Sequence, residues 1–251
     1  MRTIVSLVAV FVTTCVLAPV AFAAALLRVP ERPGSIYERC MRWWAKAVDW
    51  AAGVRVVVHG QENIVYGAVY VANHVSWFDV FAMAEVVPRY TWVAKAELRK
   101  LPIFGAGAEA AGVIFLEREN RKSAFESYQG AAKEVRRGRN VIVCPEGTRG
   151  HEYALRPFKK GPFVLAVAAQ APIVPTLVYG AREVMRKGSF RIRPGVVHVH
   201  FLEPISTEGT TYEDRNRLVD ATWHSIARAL ESNYGIPSTP QQRRRGAAAD
   251  A

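Results

Sequence analysis

Short apolar runs separated by polar turns and amphipathic stretches make up most of the chain, and they predict strands that alternate with helices. The predicted strands cover residues 54–58, 68–72, 90–94, 112–116, 140–144 and 173–178, followed by a hairpin of 190–193 with 196–201 about Pro194-Gly195. The predicted helices cover residues 123–138, 162–170 and 211–233, the first capped by Ser123. This alternation is typical of an α/β domain. We therefore expect one α/β domain over residues 54–235, with a mostly parallel or mixed central sheet flanked by helices.

The first 27 residues differ from the rest because no charged side chain occurs between Thr3 and Leu27. A helix of that length would run roughly 37 Å, which exceeds the ~30 Å hydrocarbon core of a bilayer. A secretory signal peptide is the alternative, since Arg2 precedes the run and Ala21-Phe22-Ala23 resembles a cleavage site. The run is longer than the apolar part of an ordinary signal peptide, so we favour an uncleaved membrane anchor.

Residues 36–52 have the pattern of a second, amphipathic helix. Trp43 and Trp44 fall near its apolar face, whereas Arg42 and Lys46 fall on the opposite face. Tryptophan and basic residues on one helix suit the headgroup level of a membrane, and packing on the core of the domain is the alternative. We expect an interfacial helix, so that residues 1–53 anchor the chain to a membrane.

Charge indicates an orientation and a class of partner. Several basic residues follow the apolar run closely, and the positive-inside rule then places the α/β domain in the cytoplasm, at an inner or plasma membrane. The net charge of +11 favours an anionic partner: a phosphorylated substrate, an anionic membrane surface or a nucleic acid. The basic residues are spread through the chain without a known nucleic-acid module, so we expect no nucleic-acid partner. Residues 236–251 predict a disordered basic tail.

The polar break after the predicted strand 68–72 carries the candidate chemistry, with His74 followed by Asp79. Residues five apart lie about 140° apart on a helix, so the pair converges only if His74 lies in a turn and Asp79 in the first turn of a helix. A carboxylate there would fix the tautomer of a histidine that acts as a general base. Ser76 and Asp79 also fit a capping box. We expect Asp79 to serve both the helix start and His74, through different oxygens.

Several predicted strands end in polar residues, namely Lys95, Arg118 and the run Glu146-Gly147-Thr148-Arg149. The carboxyl ends of parallel strands lie at one edge of a sheet, where ligands bind. Arginine and lysine suit a phosphate, and Gly147 and Thr148 would add backbone N–H and hydroxyl donors. Each residue taken singly also suits a solvated strand end or a turn. Together they predict a phosphate site beside His74.

No pattern of metal ligands or cofactor binding occurs. Cys15, Cys40 and Cys144 have neither zinc-ligand spacing nor an even number, which favours a reduced compartment. Walker and dinucleotide-binding glycine loops are missing from the sequence. His198 and His200 fall on the same face of a predicted strand, and we expect an exposed or hydrogen-bonded pair there rather than a metal site.

Four motifs, in chain order, resemble those of the glycerolipid acyltransferases, particularly the 1-acylglycerol-3-phosphate acyltransferases. They lie at residues 73–79, 112–118, 144–149 and 172–175, and residues 95–98 and 158–161 resemble further family segments. Two positions depart from the family pattern: Cys144 stands where phenylalanine is usual and Gly150 where serine is usual. These departures leave the acceptor open.

The resemblance implies the family's fold and an acyl transfer. His74 would take the proton from the sn-2 hydroxyl of lysophosphatidate as it attacks an acyl thioester, while Asp79 holds the imidazole. The acceptor phosphate would be bound by Arg118, Glu146, Gly147, Thr148 and Arg149, with Lys95 as a further candidate. Acyl-CoA or acyl-ACP enters as a substrate, and neither a metal nor another cofactor is needed. The alternatives are acylation of another lysolipid, such as a lyso-ornithine lipid, and a non-catalytic basic membrane-binding protein.

Overall fold

The computed structural model describes residues 2–30, 32–100, 112–116 and 121–239, with residue 95 and residues 121–126 described by their backbone only. The helices are Arg2–Leu26 (α1), Ile36–Ala52 (α2), Phe78–Val86 (α3), Arg121–Arg136 (α4), Gly161–Ala169 (α5), Ala181–Val184 (α6) and Arg215–Tyr234 (α7). The strands are Val54–His59 (β1), Val69–Ala72 (β2), Tyr90–Lys95 (β3), Ile114–Leu116 (β4), Asn140–Val143 (β5), Ile173–Tyr179 (β6) and Gly195–Phe201 (β7). Short 3-10 turns occupy Gln61–Asn63, Ala96–Lys100 and Tyr212–Asp214.

The seven strands form one mixed sheet in the order β1-β7-β6-β2-β5-β3-β4. Strands β6, β2, β5, β3 and β4 are mutually parallel, whereas β7 runs antiparallel to β6 and parallel to β1. The predicted single α/β domain with a mostly parallel, mixed sheet is confirmed. Because β2, β5, β3 and β4 are consecutive and parallel, their carboxyl ends lie along one edge of the sheet.

Helices cover both faces of the sheet, which explains why the run at β2 is apolar at every position. Val69 and Val71 belong to a core cluster with side chains of α4, α5 and α7. Tyr70 and Ala72 belong to a second cluster with side chains of α2 and α3. Successive side chains of a strand point to opposite faces, so a strand covered on both sides needs apolar residues throughout.

The predicted hairpin about Pro194-Gly195 is wrong. Strand β7 pairs with β6 on one side and with β1 on the other, so neither edge of β7 is open to residues 190–193. They contact the start of α1 instead. The Thr3 hydroxyl donates to the carbonyl oxygen of Phe190 (3.0 Å), and the N–H of Ile192 donates to Thr3 Oγ1 (3.2 Å).

Helix α1 has the length and composition to cross a membrane, and most of its large apolar side chains are exposed on the isolated chain. It contacts α2, which packs in turn on α3 and β1. Trp44 of α2 contacts the second core cluster, whereas Trp43 and Trp50 are exposed. Helix α2 thus combines a core-packing face with exposed tryptophans, and its position at a membrane surface stays a prediction.

The starts of two helices differ from those that the sequence predicts. Ser123 is not the cap of α4, because that helix already includes Arg121. The last helix is preceded by a 3-10 turn in which Thr211 and Asp214 form a reciprocal capping box. Most of the predicted tail, residues 240–251, lies outside the described residues.

Candidate active site

The turn after β2 is held by the buried side chain of Asn73. Its Nδ2 donates to the carbonyl oxygen of Val178 (3.0 Å), and its Oδ1 accepts from the N–H of Val178 (2.7 Å). The side-chain amide therefore bonds both backbone groups of Val178 and extends the contact with β6 beyond the end of β2. His74 follows at once, so its backbone leaves the sheet from a fixed position.

His74 lies in the turn and Asp79 in the first turn of α3, as the convergence of the two side chains requires. His74 Nδ1 is 2.9 Å from Asp79 Oδ2, and the histidine side chain is 17% exposed. A carboxylate at this distance holds the neutral imidazole with its proton on Nδ1, which leaves the lone pair of Nε2 for a substrate. The pair can therefore act as a general base and its orienting acid.

One oxygen of Asp79 serves both the helix start and His74, which corrects the expectation of two different oxygens. Oδ2 accepts from the backbone N–H groups of Val75 (2.6 Å) and Ser76 (2.7 Å) as well as facing His74. Oδ1 is buried without a hydrogen-bond partner in the described part of the chain. The Ser76 hydroxyl donates to the carbonyl oxygen of Met185 (2.7 Å), which attaches the turn to the segment after α6. Three donors on one atom fix Asp79 as the centre of the turn.

Glu146, which follows the neighbouring strand β5, braces the turn from the other side. Its Oε1 accepts from the N–H of His74 (3.3 Å), and its Oε2 accepts from Arg156 Nε (2.8 Å). Burial raises the pKa of Glu146, and the hydrogen bond and charge of Arg156 act against that rise. Since both oxygens are occupied and a carboxylate repels a phosphate, the geometry favours a positioning role for Glu146 over the predicted phosphate contact.

The loop after Glu146 folds back onto the histidine turn. Gly147 has a left-handed φ of +80°, and its N–H donates to the carbonyl oxygen of Cys144 (3.1 Å), so this donor is engaged within the turn and a phosphate contact at Gly147 stays a prediction. Gly150 donates to the carbonyl oxygen of His74 (2.7 Å). A side chain at Gly150 would place its Cβ 2.9 Å from the carbonyl oxygen of Glu152, which explains locally why serine is absent here.

Arg149 and Thr148 are the members of this loop that remain available to a ligand. The Arg149 guanidinium lies over the ring of Trp77, 5.1 Å from its centroid, and forms no ion pair with a described carboxylate. The side chain of Thr148 is exposed, and its carbonyl oxygen accepts from Arg156. An arginine stacked on an aromatic ring keeps its charge, and the stacking itself does not use its N–H donors.

Of the two remaining predicted binding residues, the structure describes the backbone of one. Lys95 is the last residue of β3, at the same sheet edge as His74 and Glu146, and its side chain is not described. Arg118 lies outside the described residues. Both stay predictions.

Sequence reasoning singled out neither Asn73 nor Arg156 as a site residue. Asn73 carried a detectable signal, because a polar amide ends a fully apolar strand directly before the histidine. Arg156 carried none, since its contact with Glu146 depends on how the loop between β5 and α5 folds.

Comparison with known proteins supports the motifs. A family model described as Acyltransferase matches residues 55–179. The 1-acyl-sn-glycerol-3-phosphate acyltransferase of Limnanthes douglasii is 35% identical over 168 residues, covering 66% of this chain and 60% of that protein. The human 1-acyl-sn-glycerol-3-phosphate acyltransferase alpha is 36% identical over 183 residues, covering 71% of this chain and 65% of that protein. The chain thus spans about 60% of the length of the plant relative.

A solved structure shares the architecture over nearly the whole chain. It is the crystal structure of the 1-acyl-sn-glycerophosphate (LPA) acyltransferase PlsC from Thermotoga maritima, with a TM-score of 0.72 and 25% sequence identity. The match covers 95% of this chain and 100% of that one. On these findings the chain belongs to the glycerolipid acyltransferase family, the family of the 1-acyl-sn-glycerol-3-phosphate acyltransferases.

Proposed function

We propose that the protein transfers a fatty acyl group from an acyl thioester to the sn-2 hydroxyl of 1-acylglycerol-3-phosphate and so forms phosphatidic acid. The observation that carries the proposal is the 2.9 Å contact between His74 Nδ1 and Asp79 Oδ2 in the turn after β2. The names of the relatives and of the similar crystal structure support the same acceptor.

The proton path follows from the orientation of the imidazole. His74 Nε2 takes the proton of the sn-2 hydroxyl as its oxygen attacks the thioester carbonyl carbon, and the resulting imidazolium is stabilised by the Asp79 carboxylate. Collapse of the tetrahedral intermediate breaks the C–S bond, and the proton on His74 passes to the leaving thiolate. General-base assistance of this kind is worth about 10²–10⁴-fold. The transfer is direct, so no acyl group is attached to the protein.

The acceptor phosphate is assigned to Arg149 and Thr148, with Lys95 and Arg118 as further members from neighbouring strand ends. Gly150 joins this loop to the histidine turn through its hydrogen bond to the His74 carbonyl oxygen. A phosphate bound by Arg149 would therefore hold the glycerol hydroxyl close to the base. Ordering two substrates in this way can contribute on the order of 7–11 kcal/mol to lowering the barrier.

The acyl donor and the membrane arrangement belong to the same proposal. The donor is acyl-CoA or acyl-ACP, and no metal or further cofactor takes part in the transfer. Helix α1 anchors the chain, with the sheet domain on the cytoplasmic side, because basic residues such as Arg28, Arg39 and Arg42 follow the apolar helix. Lipid acceptor and lipid product are then both at the membrane surface.

An acceptor panel tests the proposal. Membranes from cells expressing the full chain are assayed for transfer of a labelled acyl group to lysophosphatidate, other lysophospholipids and a lyso-ornithine lipid, with acyl-CoA and acyl-ACP as alternative donors. Membranes without the protein give the background. We expect lysophosphatidate to be acylated well above that background. Transfer to another lysolipid but not to lysophosphatidate would contradict the acceptor, and transfer to none would contradict the enzymatic function.

A further inference from the structure

Three histidines outside the acyl-transfer site meet on the strand pair β1–β7. The two strands run in parallel with Val57 opposite His198 and His59 opposite His200. Side chains in register on neighbouring strands point to the same face, so all three imidazoles project from one face of the sheet. One ring nitrogen from each lies within 4.8 Å of those of the other two.

The spacing of the two most exposed members already suits a shared ion. His59 Nε2 is 3.0 Å from His198 Nδ1. Two nitrogens bound to one ion at 2.0–2.1 Å would lie about 2.9 Å apart at a right angle and about 3.3 Å apart at the tetrahedral angle. The ring of His59 also stacks on that of His200, with centroids 4.1 Å apart. The two ring planes differ by only 8°, and the lone pair of an imidazole nitrogen lies in its ring plane, so one of these two rings must rotate out of the stack for both to bind the same ion.

The buried member of the cluster is oriented by a contact of its own. His200 Nε2 is 2.7 Å from the hydroxyl oxygen of Tyr234, the last residue of α7. Ligating histidines are typically fixed in this way, with one ring nitrogen on a neighbouring polar group and the other on the metal. His200 is 8% exposed and His59 is exposed, so an ion would have access from the side of β1.

We propose that His59, His198 and His200 form a binding site for a divalent transition-metal ion such as Zn²⁺. The donor set decides the class of ion, because imidazole nitrogens suit Zn²⁺, Ni²⁺ and Cu²⁺, whereas Mg²⁺ and Ca²⁺ prefer oxygen ligands. Among the strands that the structure describes, β1 is at the edge of the sheet and pairs only with β7. A bound ion would tie this edge strand to β7, so its role is structural and separate from the chemistry at His74.

The sequence alone favours an exposed or hydrogen-bonded pair at His198 and His200. Their shared face follows from the strand period. The sequence does not show that His59 lies next to them. That contact depends on the parallel pairing of β1 with β7, which are the first and last strands of the domain.

The test uses Co²⁺ as a spectroscopic substitute for Zn²⁺. Full-length protein without a polyhistidine tag is purified in detergent, treated with a chelator, freed of it and titrated with Co²⁺. We expect one ion per chain, visible ligand-field absorption, loss of that absorption on addition of Zn²⁺, and a higher Tm with Zn²⁺. His59→Ala and His198→Ala are expected to abolish all of these effects. His224→Ala, at an exposed position on α7, is the control and retains them.

Two results would overturn the proposal. One is wild-type protein that shows neither ligand-field bands nor a Zn²⁺-dependent rise in Tm, which would leave the cluster as stacked, hydrogen-bonded rings. The other is binding that persists equally in His59→Ala and in His198→Ala, which would place the ion elsewhere. Because His59 is exposed, its replacement leaves the core intact, and a folded variant is expected.

Discussion

Two aspartates, Asp79 at the start of α3 and Asp49 near the end of α2, are equally withdrawn from solvent, each 1% exposed, but have opposite surroundings. Asp79 presents Oδ2 to three N–H donors, including His74 Nδ1. Both oxygens of Asp49 lack a hydrogen-bond partner within the described residues. Burial, with a smaller contribution from Glu85, raises the pKa of Asp49 to about 8. Burial without hydrogen-bond donors therefore makes Asp49 a weaker acid, whereas the three donors around Asp79 hold its side chain in place beside His74.

The same substitution at the two aspartates gives the sharpest contrast. Asp79→Asn keeps an oxygen for the three donors but removes the charge that stabilises the protonated imidazole. We expect kcat to fall on the order of 10²-fold or more, with little change in Tm. The kcat of Asp79→Asn is measured by steady-state acyl transfer to lysophosphatidate, and Asp49→Asn is the matched control. Wild-type kcat in the Asp79 variant would remove the carboxylate from its role.

The contact between Glu146 and the N–H of His74 predicts a smaller effect on activity, and this effect depends on pH. Arg156→Gln removes the charge that opposes the burial-induced rise in the pKa of Glu146, so that pKa rises further. Since Glu146 must be ionised to accept from both partners, the acidic limb of the kcat/KM–pH profile should move to higher pH, and the loss relative to the wild type should grow as pH falls.

The pH profile of Arg228→Gln, an exposed arginine on α7, is the control for loss of a positive charge. A profile for Arg156→Gln that coincides with the wild-type curve at every pH would show that Glu146 does not hold the turn through its charge.

The phosphate assignment predicts an effect on substrate affinity. Arg149→Lys keeps the charge but loses the N–H fork and the stacking on Trp77. We expect the KM for lysophosphatidate to rise about tenfold with kcat changed little. A rise in the KM for the acyl donor instead, measured at saturating lysophosphatidate, would place Arg149 on the other substrate.

The smallest effect on activity is expected at Asp49, where the change appears in stability. Between its ordinary pKa of 3.8 and about 8, folded Asp49 holds a proton that the unfolded chain has released, so stability falls as pH rises through this window. Asp49→Asn lacks this slope. In detergent, its Tm should exceed that of the wild type at about pH 9 and approach it at about pH 5. A constant difference in Tm across this range would show that Asp49 does not titrate in the folded protein.

Local patterns allowed much of the fold to be predicted. The apolar run of β2, the polar break at His74 and the renewed apolar pattern of α3 are neighbours in the chain, and the strand period and helix geometry determine how they follow one another. The prediction that the polar strand ends lie at one edge of the sheet required parallel strands, and β2 and β5 are indeed parallel.

What the sequence could not show depends on contacts between distant segments. Residues 190–193 alternate like a strand, but β1 occupies the edge of β7 that they would need. Glu146 ends a strand in a charged motif, and only the folded loop shows that Arg156 and His74 take its two oxygens. The partners of a side chain across the sheet are decided by strand order, which local periodicity does not contain.

The central claim is that His74 is the base that activates the acceptor hydroxyl, and one assay tests it most directly. Acyl transfer from acyl-CoA to lysophosphatidate is measured for wild-type protein, His74→Ala and His151→Ala, an exposed histidine outside the Asp79 contact, at equal amounts in membranes. We predict a loss of at least about 10²-fold for His74→Ala with membrane association unchanged, and wild-type rates for His151→Ala. Transfer by His74→Ala at the wild-type rate would contradict the account.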